Sequence, residues 1–252
     1  MKIVIPKNIF GAILSLHFPD SLKEKVEVMP SSMITSEIVK GNADIGLIPS
    51  LDLLNHPELK ISGEVGISFD GLLSNAYLYF APEQNRFEKI NLRGDVSSNE
   101  IILTKIMFQE RFDIEVEVTL DTQPVDFDEN NYLIVGSENN EHVINKNGIS
   151  FADQIAELID YPYVNFVLAS NDETSLTELV KHITNLDKRV EEDLFNLLSK
   201  MKLPKANEDL IVENIDSLYF ELTENEREAL DELMKLTYYH GILGEFKGVS
   251  FV

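Results

Sequence analysis

Residues 41–54 read GNADIGLIPSLDLL. Gly41-Asn42 is a helix C-terminal signal, ADIGLI over Ala43–Ile48 is a run suited to a buried strand, and Pro49-Ser50 ends it before a short helix over Leu51–Leu54. Immediately upstream, Val26–Met29 is a short β-type run. Pro30-Ser31-Ser32 then opens a helix to about Lys40, with a serine as expected N-cap. Further back, Lys2–Ile5 reads as a first strand and Ile9–Phe18 as a first helix. Strand–helix–strand alternation of this kind predicts parallel pairing with right-handed crossovers, hence an α/β fold.

Downstream, Glu64–Phe69 and Leu73–Phe80 read as two strands around the turn dipeptide Asp70-Gly71. Residues 95–100 (DVSSNE) form a loop entering a helix with an apolar stripe at Ile102, Ile106 and Met107. Ile114–Leu120 alternates as a half-exposed strand. Tyr132–Val135 is a buried strand ending at Gly136-Ser137, Phe151–Ile159 is helical, and Tyr163–Leu168 (YVNFVL) is a further strand. From Thr174 the pattern is all helical, with Thr223-x-x-Glu226 a capping box for the last helix. This ordering predicts two lobes. Residues 1–78 and 171–252 form one lobe from both chain ends, and 79–170 form an inserted second lobe. The chain is expected to cross at Asn75–Ala81 and again at Asn165–Ala169.

The 252 residues suffice for two lobes with cores of their own. Without cysteine, disulfides, thiolate metal sites and a cysteine nucleophile are excluded. Lys and Arg total 21 against 44 Asp and Glu, a formal charge of −23. A field of that sign repels nucleic acid and anionic membrane surfaces. An anionic ligand would therefore need locally arranged donors such as helix N-termini or hydroxyls. Pro6, Lys7 and Asn8 interrupt the N-terminal apolar run, and no clean cleavage site follows. No stretch approaches the roughly 20 apolar residues of a membrane span. The chain is expected in the cytoplasm. No two of the five histidines lie at zinc-helix spacing, and GxxxxGK[ST], GxGxxG and GxSxG patterns are absent.

Three stretches together resemble the chorismate dehydratase family of the futalosine menaquinone pathway. GNADIGLIPSLDLL at Gly41–Leu54 is similar to the family's G-x-x-D-x-A-L-I-P-S segment. LRGDVSSNEIILTKIMFQERFDI at Leu92–Ile114 resembles its D-P-S-S-R-T-S loop and following helix. ISFADQIAELIDYPYVNFVLAS at Ile149–Ser170 is similar to its D-L-x-x-x-W-x-x-x-T-G-L-P-F-V-F-A-V-W segment. The resemblance implies a periplasmic-binding-protein-like fold of type II, with a small anionic ligand in the interlobe cleft and no metal or organic cofactor. It implies a lyase that removes water from chorismate to give 3-enolpyruvoylbenzoate. Phe10 stands where the family's catalytic asparagine would align, and Asn8, two positions earlier, is the candidate to polarise the departing hydroxyl. Asn99 replaces the family's loop arginine. Those departures favour an alternative: the same cleft, catalytically silent, holding a small carboxylate or aromatic metabolite. Oligomeric state is left open.

Each candidate ligand-binding residue has two readings. Ser50 either donates to a ligand carboxylate or caps the short helix after it. Ser97, Ser98 and Asn99 make either an anion site at a helix start or an ordinary cap, with Glu100 complementing the helix dipole. Ser74 and Asn75 line a cleft or serve the preceding turn. Gly136 permits close backbone approach or simply turns the chain. Asn165, a polar amide inside an apolar strand, faces the cleft or bonds within a hinge. Phe10 is core or a stacking platform, and Lys7 is the nearby cation able to balance a carboxylate.

Overall fold

A computed structural model describes residues 1–82, 87–141, 147–244 and 248–252. The chain begins with β1 (Ile3–Pro6), α1 (Ile9–Leu16), α2 (Asp20–Lys23), β2 (Val26–Met29), α3 (Ser31–Val39) and β3 (Ile45–Pro49). A 3-10 turn, Ser50–Leu54, leads to β4 (Lys60–Phe69), β5 (Ala76–Tyr79), β6 (Lys89–Gly94), α4 (Ser98–Phe112), β7 (Glu117–Leu120) and β8 (Tyr132–Val135). A second 3-10 turn, Gly136–Glu141, precedes β9 (Ile149–Ser150), α5 (Phe151–Ile159), β10 (Tyr163–Ser170), α6 (Glu173–Val180), α7 (Leu186–Met201), α8 (Lys205–Glu213), β11 (Leu218–Glu221) and α9 (Glu224–Tyr239).

The strands form two sheets. One has the order β11-β4-β10-β3-β1-β2, the other β7-β6-β8-β5-β9. The expected parallel pairing is present: β1 pairs in parallel with both β2 and β3. β10 runs antiparallel between β3 and β4, placing Phe166 opposite Pro49 and Ile67. In the second sheet β6 is parallel to β7 and β8, while β5 is antiparallel to β8. The protein is thus α/β with two lobes, each built on one sheet.

The lobe boundaries lie elsewhere than the sequence reading set them. β5, from Ala76, already belongs to the second sheet, so the first crossing is residues 70–75. β10 lies wholly in the first sheet, so the chain returns at 160–162 rather than at Asn165–Ala169. YVNFVL is buried on both faces, and such a run carries no periodicity that says which sheet it enters. Three strands were also missed, the two-residue β9 among them. β6 lies in the stretch before the 95–100 loop, and β11 interrupts the C-terminal segment read as all helical.

Local chemistry sets several helix starts. Thr223 and Glu226 form the expected capping box of α9. α3 differs: Pro30 occupies the cap position without a side-chain bond. Ser31 instead donates from its backbone N–H (2.8 Å) and its Oγ (2.6 Å) to the Asp95 carboxylate of the second lobe. Gly94, just before Asp95, has φ +82°, and an added Cβ would lie 2.0 Å from the Val135 carbonyl oxygen. Only glycine turns the chain there without strain, which aims Asp95 at α3. Among the described residues no helix is long and apolar enough to cross a membrane.

Candidate functional site: a cavity at the lobe junction

A cavity of about 350 Å³ opens where the loop between β1 and α1 meets the first crossing, the turn after β8, and α8. Lys7, Asn8, Phe10, Ser74, Asn75 and Gly136 line it, together with Tyr77, Leu210 and Ile211. Six of the sequence-predicted residues are therefore brought to one wall, although they lie in three separate parts of the chain.

Asn8 sits at the N-cap of α1. Its Oδ1 accepts from the Gly11 N–H at 2.8 Å, while its Nδ2 has no partner among the described residues. The β1 strand ends at Pro6, so the chain must turn here, and asparagine supplies the cap acceptor. Phe10 is buried and meets Phe69 edge to face, with ring centroids 4.9 Å apart. It is thus part of the core and of the cavity wall at once. Lys7 is exposed.

Ser74 accepts two bonds within the protein. Its Oγ accepts from the N–H groups of Ala76 and Ala152, both at 3.1 Å, fastening the crossing to the start of α5. Asn75 is 4% exposed, and neither its Nδ2 nor its Oδ1 meets a partner among the described residues. Its backbone carbonyl accepts from Gly136 N–H at 2.7 Å. Gly136, at φ +70°, adopts a conformation that favours glycine and lets the turn after β8 approach this closely.

The other five predicted residues lie off the cavity, along the seam where the lobes touch. Ser97 and Glu100 form the capping box of α4, so the bland reading of Ser97 holds there. Burial pushes the Glu100 carboxyl above its usual range, and the Ser97 bonds oppose that shift. Ser98 Oγ donates to Asp52 at 2.6 Å, and Thr35 Oγ1 donates to the same carboxylate. Asn99 accepts from Leu51 N–H (2.9 Å) and Ser50 Oγ (3.4 Å), and donates to the Asn165 carbonyl at 2.7 Å. Asn165 Nδ2 donates to the Tyr163 hydroxyl. Where a ligand carboxylate was expected among Ser50, Ser97 and Ser98, protein side chains stand instead: Asn99 at Ser50, Glu100 at Ser97 and Asp52 at Ser98. A helix N-terminus needs an acceptor, and the nearest protein group fills that need.

Sequence reasoning missed Tyr77, Asn139, Asn140 and the α7–α8 residues that close the cavity, Met201, Leu203, Asn207, Leu210 and Ile211. Helical periodicity marks these last as packing residues and says nothing of what they pack against. Among the described residues no group of three or more His, Cys, Asp or Glu is placed to hold a metal ion.

No protein-family model matches the chain, and no curated protein matches it by sequence. Solved structures do match. A structural-genomics protein from Archaeoglobus fulgidus superposes with a TM-score of 0.68 at 10% identity, covering 96% of this chain and 98% of its own. The alkanesulfonate-binding protein of Xanthomonas axonopodis pv. citri, solved bound to MOPS, gives 0.63 at 11% identity, with 99% and 96% covered. A Candida albicans protein described as having the generic periplasmic binding protein fold gives 0.60 at 9% identity, with 99% and 92% covered. The fold is periplasmic-binding-protein-like. Periplasmic binding proteins close two lobes around a ligand by hinge motion. In the periplasmic-binding-protein-like arrangement here, the crossings at 70–75 and 160–162 are the two links between lobes, and Asn75 ends the first of them.

Proposed function

We propose that this chain binds one small molecule, a compact acid or aromatic metabolite, in the cavity at the lobe junction. The observation that carries this reading is the pair of cavity-lining asparagines, whose Asn8 Nδ2 and both Asn75 amide atoms are buried without partners among the described residues. Buried polar groups are ordinarily paired, and an unpaired one beside a cavity is the group a ligand satisfies. Phe10, Leu210 and Ile211 supply apolar surface, and Lys7 supplies the cation for an acidic group.

A second reading is the chorismate-dehydratase-like lyase, forming 3-enolpyruvoylbenzoate for menaquinone synthesis without a cofactor. Its support is Asn8, whose Nδ2 is free to polarise a departing hydroxyl on a wall where lobe closure excludes water. The engagement of Ser50, Ser97 and Ser98 with protein partners favours the first reading, since a dicarboxylate would have lost its expected cradle.

Chorismate added to purified protein separates the two. Heat of binding with loss of water, followed by mass and absorbance, establishes the lyase. Binding without turnover establishes the silent binder, and no binding directs the search to other small acids. Asn8→Asp is the sharper variant, because it keeps the cap acceptor while replacing the free donor. It is expected to lower turnover or affinity at least about tenfold with the fold intact, whereas Asn8→Ala also removes the cap at about 1 kcal/mol.

A further inference from the structure

We infer that the ligand of this cavity presents a cis-amide edge to Asn75, an N–H donor beside a C=O acceptor as found in lactams, pyrimidinediones and oxopurines. This rests on the ligand-binding reading above. Three polar side chains on the cavity wall are already engaged within the protein. Tyr77 donates to the Leu72 carbonyl at 3.1 Å and accepts from Ser74 N–H at 3.2 Å. Asn139 donates to the Ile134 carbonyl at 2.6 Å and accepts from the Tyr79 hydroxyl at 3.2 Å. Ser74 Oγ holds two backbone N–H groups.

Asn75 differs from these. One amide there keeps both its donor and its acceptor free, on a residue 4% exposed, at the cavity wall. Its backbone is fixed by the Gly136 N–H bond, so the side chain cannot leave by moving the chain. The complement of a primary amide's two adjacent groups is another amide edge in the reverse order. A carboxylate offers acceptors only. It would satisfy Nδ2 and set its second oxygen against Oδ1, leaving a buried acceptor unmet. Among the described residues no Asp or Glu lines the cavity, and a chain charge of −23 opposes the approach of a polyanion. Apolar cover from Phe10, Leu73 and Ile211 suits the faces of one or two rings, and about 350 Å³ holds a molecule of that size.

The test is calorimetric titration of uracil, orotate and hypoxanthine, with benzoate and 1,3-dimethyluracil as partners lacking the free N–H. The wild-type chain and the Asn75→Leu and Leu210→Trp variants are compared. At least one of the three heterocycles is expected to bind, dimethyluracil and benzoate to bind at least about tenfold more weakly, and Asn75→Leu to lose that preference. Asn75→Leu should keep or raise the thermal midpoint, since it removes an unpaired buried amide, and a merely structural asparagine would lower it. The inference is overturned if none of the heterocycles binds, if dimethyluracil binds as well as uracil, or if Asn75→Leu leaves affinity unchanged. The broader binding reading stands in those cases when benzoate or chorismate binds and Leu210→Trp, which fills the cavity, abolishes it. It fails with the inference if Leu210→Trp leaves binding of every probe unaltered.

Discussion

Asp187 lies in the first turn of α7, where its Oδ1 accepts from the Phe220 N–H of β11 at 2.5 Å. Burial outweighs that bond and pushes the carboxyl up from 3.8 to about 6. The folded chain therefore holds this proton more tightly than the unfolded chain does. Protonation favours folding between those two values, so this group's contribution to stability falls as pH rises from about 4 through about 6. Asp187→Asn keeps an acceptor for Phe220 and removes the titration. Its stability relative to wild type is expected to rise with pH across that window and level off above it. Urea midpoints of both proteins at half-unit steps from pH 4 to 7 check this, and parallel curves would refute it. Asn8 shows a comparable division within one side chain: its Oδ1 serves the helix, and its Nδ2 is buried without a partner among the described residues.

At the scale of elements, α4 is the piece that ties the lobes. Its first turn carries Asn99, which is wholly buried and bonds to both Leu51 N–H and the Asn165 carbonyl. Asn99→Ala leaves one buried donor and one buried acceptor unmet, an expected loss of roughly 2 to 4 kcal/mol. Exposed neighbours on the same helix, such as Ile101, should tolerate alanine within about 0.5 kcal/mol. Chemical denaturation of the two variants measures the contrast. The start of α4 was legible in the sequence because a capping box is local: Ser97 and Glu100 recognise each other across three residues. β6 and β11 were not. β6 owes its form to parallel neighbours on both sides and β11 to one antiparallel neighbour, and such partners are distant in sequence. Ser31 shows the same limit from the other side. It was expected as a cap for α3, and tertiary structure gave the helix an acceptor, Asp95, from 64 residues away.

For the whole molecule, two carboxylates bridge the lobes. Asp52 of the first lobe accepts from Ser98 of the second, and Asp95 of the second accepts from Ser31 of the first. Hydrogen bonds to charged groups contribute about 1.5 to 3 kcal/mol each. Replacing both carboxylates, Asp52→Ala with Asp95→Ala, is expected to destabilise closure by on the order of 3 kcal/mol and to open the hinges at 70–75 and 160–162. Small-angle scattering should then show a larger radius of gyration than wild type, shrinking again when a cavity ligand is added. An unchanged radius would mean that the remaining contacts, the Asn99 bonds to Leu51 and Asn165 among them, suffice to keep the lobes closed.

The sequence by itself determined the α/β class, the parallel start of the first sheet, and the helix boundaries set by Gly41, Ser97 and Thr223. Periodicity and capping act within a few residues of each other, so they can be read from the chain alone. It also nominated polar residues at strand ends and loop-to-helix junctions. Which of these share a cavity was a matter of tertiary structure. Lys7, Asn8, Asn75 and Gly136 converge because two sheets meet there, while Ser50, Ser98 and Asn99 were consumed in joining the lobes. A polar group looks the same in sequence whether its partner will be a ligand or another part of the chain. Only the fold decides which partner arrives first.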